Sequence, residues 1–173
     1  LSDGPEAYLR DTTAGVFTAV YIPFLASFAV LMLAPDEDGA SRVTLFILVT
    51  VCSDLGGYLV GVLIGRHPMA PRISPKKSWE GFAGSVIACA AGGSLAVPYL
   101  FAEPWWKGLV IGLAAVCSAT LGDLGESLIK RDLGIKDMST LLPGHGGIMD
   151  RLDSLLPTVP VAWLILTALV PVA

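Results

Sequence analysis

Hydrophobic residues in this chain fall in long unbroken runs, with neither the alternation of a half-buried strand nor the one-sided stripe of a soluble helix. Five runs reach the roughly 20 residues that a helix needs to cross a bilayer core of about 30 Å. They lie near Thr13–Ala34, Val43–Gly65, Phe82–Phe101, Gly108–Ile129 and Leu152–Val172. The pattern predicts an all-α, polytopic membrane helical bundle with five transmembrane helices, forming a single membrane domain over residues 1–173. Polar residues collect in two long loops, 66–81 and 130–151, and in two short connections, Pro35–Arg42 and Ala102–Lys107.

Charge placement orients the bundle. With the N-terminus cytoplasmic, nine of the eleven Lys and Arg residues fall in cytoplasmic segments, and only Arg42 and Lys107 lie outside. Both long loops then share the cytoplasmic face. Trp105 and Trp106 suit the outer interface, where an indole is half wet.

Composition agrees with this reading. Hydrophobic residues make up 54% of the chain and charged residues 15%, with a mean hydropathy of +0.71. An ordinary soluble domain has roughly 25% charged residues. A net charge of −4 leaves no basic excess for a nucleic-acid backbone, so nucleic acid is excluded as a partner. Cys52, Cys89 and Cys117 each lie in an apolar run and read as small buried residues rather than a disulfide or metal framework. The start at Leu1, with no basic or apolar leader over residues 1–12, points to a processed or truncated chain.

The third span carries small residues every four positions, at Gly81, Ser85, Cys89 and Gly93 and again at Gly84, Ala88 and Gly92. Such faces allow close helix packing within the bundle, with a homodimer seam as the alternative.

Acidic residues stand where lipid should be. Asp54 falls mid-span in the second run, and Asp123 and Glu126 near the inner end of the fourth. An ionised carboxylate at that depth costs at least about 2.5 kcal/mol, so each needs a cation, a partner or water. Asp123, Glu126 and Ser127 share one helical face by spacing, and Asp150 and Asp153 repeat the i, i+3 relation before the last span. Two such faces can converge on a hard cation through oxygen ligands. Ion pairing of Asp150 or Asp153 with Arg151 or Lys130 is the competing reading.

The loop 66–81 carries Pro68, Pro71 and Pro75, which hold it extended and out of helix. Its Arg66, Arg72, Lys76 and Lys77 serve either as anchorage to anionic lipid or as a phosphate clamp. Between Ser127 and Asp153 the second loop adds Lys130, Arg131, Lys136, Arg151 and the turn Pro143-Gly144-His145-Gly146-Gly147. Glycine turns let backbone N–H groups approach a phosphate, and many such turns bind nothing. His145 belongs to no zinc-like cluster.

Ser127, Lys130-Arg131, Lys136-Asp137, Ser139, Leu142-Pro143, His145-Gly146-Gly147, Asp150-Arg151 and Asp153 resemble, in order and spacing, the signature of the phosphatidate cytidylyltransferases, or CDP-diacylglycerol synthases. SDLGGY at 53–58, ISPKKSWEG at 73–81 and GDLGES at 122–127 extend the resemblance over residues 45–158, with wording most similar to the actinobacterial branch. The resemblance implies a multi-pass inner-membrane enzyme with its active site toward the cytoplasm. Such an enzyme condenses CTP with phosphatidic acid to give CDP-diacylglycerol and pyrophosphate, uses Mg²⁺ with a second cation such as K⁺, and is often a homodimer. It also implies that this chain is the C-terminal catalytic part. By position, the resemblance places Asp123, Asp150 and Asp153 on metal-binding acids, Ser127 and Lys130 on polar residues of the same site, and Lys76 and Lys77 on a phosphate-meeting loop. Arg131, Lys136, His145, Gly146, Gly147 and Arg151 join the substrate-binding set, and the role of Asp54 stays open.

Two other functions share some of these features: an ion or proton transporter, and a CTP-dependent lipid or polyprenol kinase. A transporter should distribute its acids across both leaflets, whereas here they gather at one face. A kinase would release CDP, and the synthase pyrophosphate.

Overall fold

Helix forms wherever the apolar runs lie, because a backbone surrounded by lipid must satisfy its own hydrogen bonds. The computed structural model describes residues 4–132 and 154–171. Its elements in chain order are α1 (Gly4–Leu33), α2 (Gly39–Ile64), β1 (Pro68–Ala70), β2 (Ser74–Ser78), α3 (Trp79–Phe101), α4 (Trp105–Asp132) and α5 (Leu155–Leu169). Helices α2, α3 and α4 are long and apolar enough to cross a membrane. Helix α1 runs for 30 residues, with Ala19–Leu33 apolar among its described residues, and α5 is short, with 15 residues. At about 1.5 Å per residue α5 covers roughly 22 Å, less than the span expected over Leu152–Val172.

Helices α2, α3, α4 and α5 pack in sequence, and α1 lies against α5 and α2. Glycine sets the closest approaches. A Cβ on Gly56 would stand 2.7 Å from both Ala88 Cβ and the Gly84 carbonyl oxygen, so α2 and α3 run almost backbone to backbone. Ser85 Oγ donates to Ser53 O at 2.6 Å and Cys89 Sγ to Val49 O at 3.2 Å along the same seam. Both small-residue rows of α3 therefore face α2 and α4 of the same chain, which bears out the bundle-packing reading of those rows. Of the cysteines, Cys89 is buried and Cys52 half-buried, but Cys117 is exposed. It sits on the outward face, where lipid rather than protein meets an apolar side chain.

The apolar core fills one end of the bundle. Leu45, Val49, Val97, Ile111, Ala115 and Leu166 are all buried there. Below α1, Arg42 is buried, clasps both Asp38 oxygens at 2.7 and 2.8 Å, and caps α5 through the Val170 carbonyl at 2.5 Å. Trp105 and Trp106 are exposed at this end, as interface residues should be.

Helix α3 ends here on Ala102, whose φ of 53° lies in the left-handed region that favours glycine. Ala102→Gly should therefore raise stability by about 0.5–1 kcal/mol, read as a higher thermal midpoint in detergent.

The opposite end carries the polar elements. Prolines exclude helix from residues 68–75, and the chain instead forms a β-hairpin pairing Pro68 with Ser78 and Ala70 with Ser74. An isolated two-stranded ladder is marginal. This one is held at its base, where Trp79 N–H donates to His67 O at 3.0 Å, and at its tip, where Arg131 Nε donates to Ile73 O at 3.2 Å. The tip contact puts the hairpin and the end of α4 at the same end of the bundle.

Candidate active site

A cavity of about 380 Å³ opens between α2, the hairpin, α3 and α4. Its size is that of a small-ligand pocket. Helix α2 contributes Ser53, Asp54 and Tyr58, strand β2 contributes Lys76 and Lys77, α3 contributes Phe82, and α4 contributes Thr120 and Asp123. The glycine seam makes this possible: Gly57 and Gly81 also line the cavity, and a side chain on either would meet the neighbouring helix.

Charges of both signs meet across the space. Lys77 Nζ lies 2.5 Å from Asp123 Oδ2, with the two side chains 23% and 35% exposed, so the pair remains open to a ligand. Asp54 accepts a hydrogen bond from Ser154 Oγ at 3.2 Å. Ser154 is buried immediately before α5, so this bond joins the start of α5 to the acidic wall of the cavity.

The structure thus brings together Asp123, Lys76 and Lys77 of the expected site, and adds Asp54. The signal for Asp54 was its depth in an apolar run; what it faces follows from the α2–α3 glycine contact, which spacing alone does not give. Ser127, one turn beyond Asp123, is half-buried on α4 and is not among the residues lining the cavity. Lys130 Nζ lies 2.7 Å from Oε1 of the buried Glu126. Glu126 therefore meets a cation of its own helix, although spacing places it on the face of Asp123. The i, i+4 separation of Glu126 and Lys130 is itself a readable signal for that pair. Arg131 reaches the hairpin tip instead of the cavity. Lys136, His145, Gly146, Gly147, Asp150, Arg151 and Asp153 lie outside the described residues. Among the described residues, no three His, Cys, Asp or Glu side chains gather as a metal-binding group.

The family model described as "Cytidylyltransferase family" matches residues 2–169. A phosphatidate cytidylyltransferase of Mycobacterium leprae is 54% identical over 162 residues, 94% of this chain and 52% of that protein. One of Mycobacterium tuberculosis is 50% identical over 165 residues, 95% of this chain and 50% of that protein. One of Brucella suis is 35% identical over 151 residues, 87% of this chain and 55% of that protein. The chain spans about half the length of the curated relatives it matches. With the family model matching nearly end to end and the SDLGGY, ISPKKSWEG and GDLGES segments forming the walls of one cavity, the chain belongs to the cytidylyltransferase family.

Proposed function

We propose that this chain carries the site at which CTP and phosphatidic acid are joined into CDP-diacylglycerol with release of pyrophosphate. The observation that supports it most is the meeting of two lysines and two aspartates around one cavity at the polar end of a membrane bundle, in a cytidylyltransferase chain. In this reaction a phosphatidate oxygen attacks the α-phosphorus of CTP, the α–β phosphoanhydride bond breaks, and the electron pair leaves with pyrophosphate. Such transfers depend mainly on alignment and charge neutralisation, which is what these residues offer.

Lys76 and Lys77, on a strand held at base and tip, are placed to steady the β- and γ-phosphates as point charges. Arrival of a triphosphate gives Lys77 an alternative anion to Asp123. Thr120 and Tyr58 add hydroxyls along the wall. Asp54 and Asp123 are hard oxygen donors lining one cavity, and Asp123 already turns a carboxylate oxygen toward a cation, the Lys77 ammonium. That donor set fits Mg²⁺, with Asp150 and Asp153 as further ligands and room in an oxygen-only set for a second cation such as K⁺. When bound, Mg²⁺ would neutralise charge on the triphosphate and the leaving group. Ser127, Lys130 and the glycine turn at His145–Gly147 complete the proposed site from the end of α4 onward.

The basic majority at this end supports a cytoplasmic orientation at the inner membrane, the side on which CTP is available. Phosphatidic acid would keep its acyl chains in the bilayer and bring only its phosphate to the cavity.

Product analysis tests the reading. Purified protein given CTP labelled at the α-phosphate, phosphatidic acid and Mg²⁺ should form a labelled liponucleotide together with pyrophosphate, and a chelator should stop it. Labelled CDP in place of the liponucleotide would instead identify a lipid kinase and overturn the proposal.

A further inference from the structure

We infer that Glu80 is a positioning residue, setting where Lys76 and Lys77 stand over the cavity; the inference rests on the reaction proposed above. Glu80 sits in the first turn of α3, immediately after the hairpin. Its Oε2 accepts the backbone N–H groups of Arg66 and His67, at 3.1 and 3.2 Å, and its Oε1 lies 2.5 Å from His67 Nδ1. One carboxylate thus grips the segment leaving α2 with both oxygens and ties it to the segment entering α3. Everything between, including both lysines, is a closed excursion whose two feet are joined at this point.

The lever is short. Lys77 lies three residues from Glu80, and Ser78, the residue between Lys77 and α3, caps the helix through its own hydroxyl, accepting from Gly81 N–H at 3.1 Å. A hairpin with so few ladder bonds has little stiffness of its own, so the angle of β2 follows the geometry of its feet. At the tip the Arg131 contact holds the turn, and at the base one backbone bond, Trp79 N–H to His67 O, joins the two feet but leaves their angle free to pivot about it. Glu80 removes that pivot. It is not among the residues lining the cavity, so its influence reaches the cavity through the hairpin that carries the lysines.

An ordinary helix N-terminal acid would also stabilise α3 electrostatically. That effect would not discriminate between substrates, and the test uses this difference. In the membrane-embedded protein, Glu80→Ala should raise KM for CTP about tenfold while leaving KM for phosphatidic acid within about twofold. Glu80→Gln keeps an acceptor oxygen for the two amides and should recover most of the loss. In a Lys76→Ala, Lys77→Ala background, Glu80→Ala should add less than about twofold, because the groups it positions are gone. Amide hydrogen exchange at Arg66 and His67 should quicken in Glu80→Ala without any substrate present.

An equal loss in both backgrounds, or an equal rise in KM for both substrates, would overturn the inference. So would unchanged exchange at the two amides. Wild-type protein that forms no liponucleotide would refute the proposed reaction, and the exchange comparison would then decide on the clasp by itself.

Discussion

Asp123→Asn should lower cytidylyl transfer by about 10³-fold while the protein stays folded and inserted, the scale set by removing one preorganised charge from an active site. The substitution is nearly isosteric and falls on a half-buried cavity wall, so packing changes little. Electrostatics change more. The variant loses the carboxylate that meets Lys77 Nζ at 2.5 Å and leaves that ammonium facing a neutral amide. It also removes one of the two described oxygen donors suited to a divalent cation, so charge on the triphosphate is less neutralised. Turnover of labelled CTP, with thermal unfolding as the control for folding, measures the effect. Activity within threefold of wild type at an unchanged melting midpoint would place the chemistry elsewhere.

The second large effect is on the bundle. Gly108→Val should lower stability by about 3 kcal/mol or more, because the obstacle is backbone and cannot rotate aside. A Cβ at Gly108 would collide with the Gly93 carbonyl oxygen, and one at Gly112 with the Cys89 carbonyl oxygen, so two successive turns of α4 lie directly on α3. In lipid, where apolar burial gives no preference for protein over acyl chain, this close packing is much of what holds the helices together. The contrast lies on the same helix: among the described residues a Cβ on Gly125 would meet nothing within 4 Å, and Gly125→Ala should be neutral or stabilise by up to about 1 kcal/mol. Thermal midpoints of the two variants in one detergent make the comparison, and a Gly108→Val protein as stable as wild type would refute the packing.

Some of this was legible in the residues. The bounds of α2, α3 and α4 follow from where apolar runs meet Pro, Gly or charge, and the three prolines of 68–75 announce a non-helical segment. The pairing of that segment into a hairpin was not legible, because it depends on His67, Glu80 and Arg131, which are far apart in kind and position. Glu80 is the single acid of the basic loop 66–81, and spacing does not show which groups it grips. Asp54 could be seen as too polar for its depth, yet its partner Ser154 lies 100 residues away and meets it only after α2, α4 and α5 have packed. Glu126, which helical spacing sets on the face of Asp123, also meets Lys130 four residues on, a pairing that the i, i+4 separation already signals.

Most direct for the central claim is a lysine footprint. Modification of the full chain by an amine-reactive reagent, read by mass spectrometry, compares Lys76 and Lys77 with Lys107, which pairs with Glu103 at 2.7 Å at the far end of α4. CTP with Mg²⁺ should protect Lys76 and Lys77 and leave Lys107 unchanged. Equal modification of all three with and without nucleotide would contradict a triphosphate bound in this cavity.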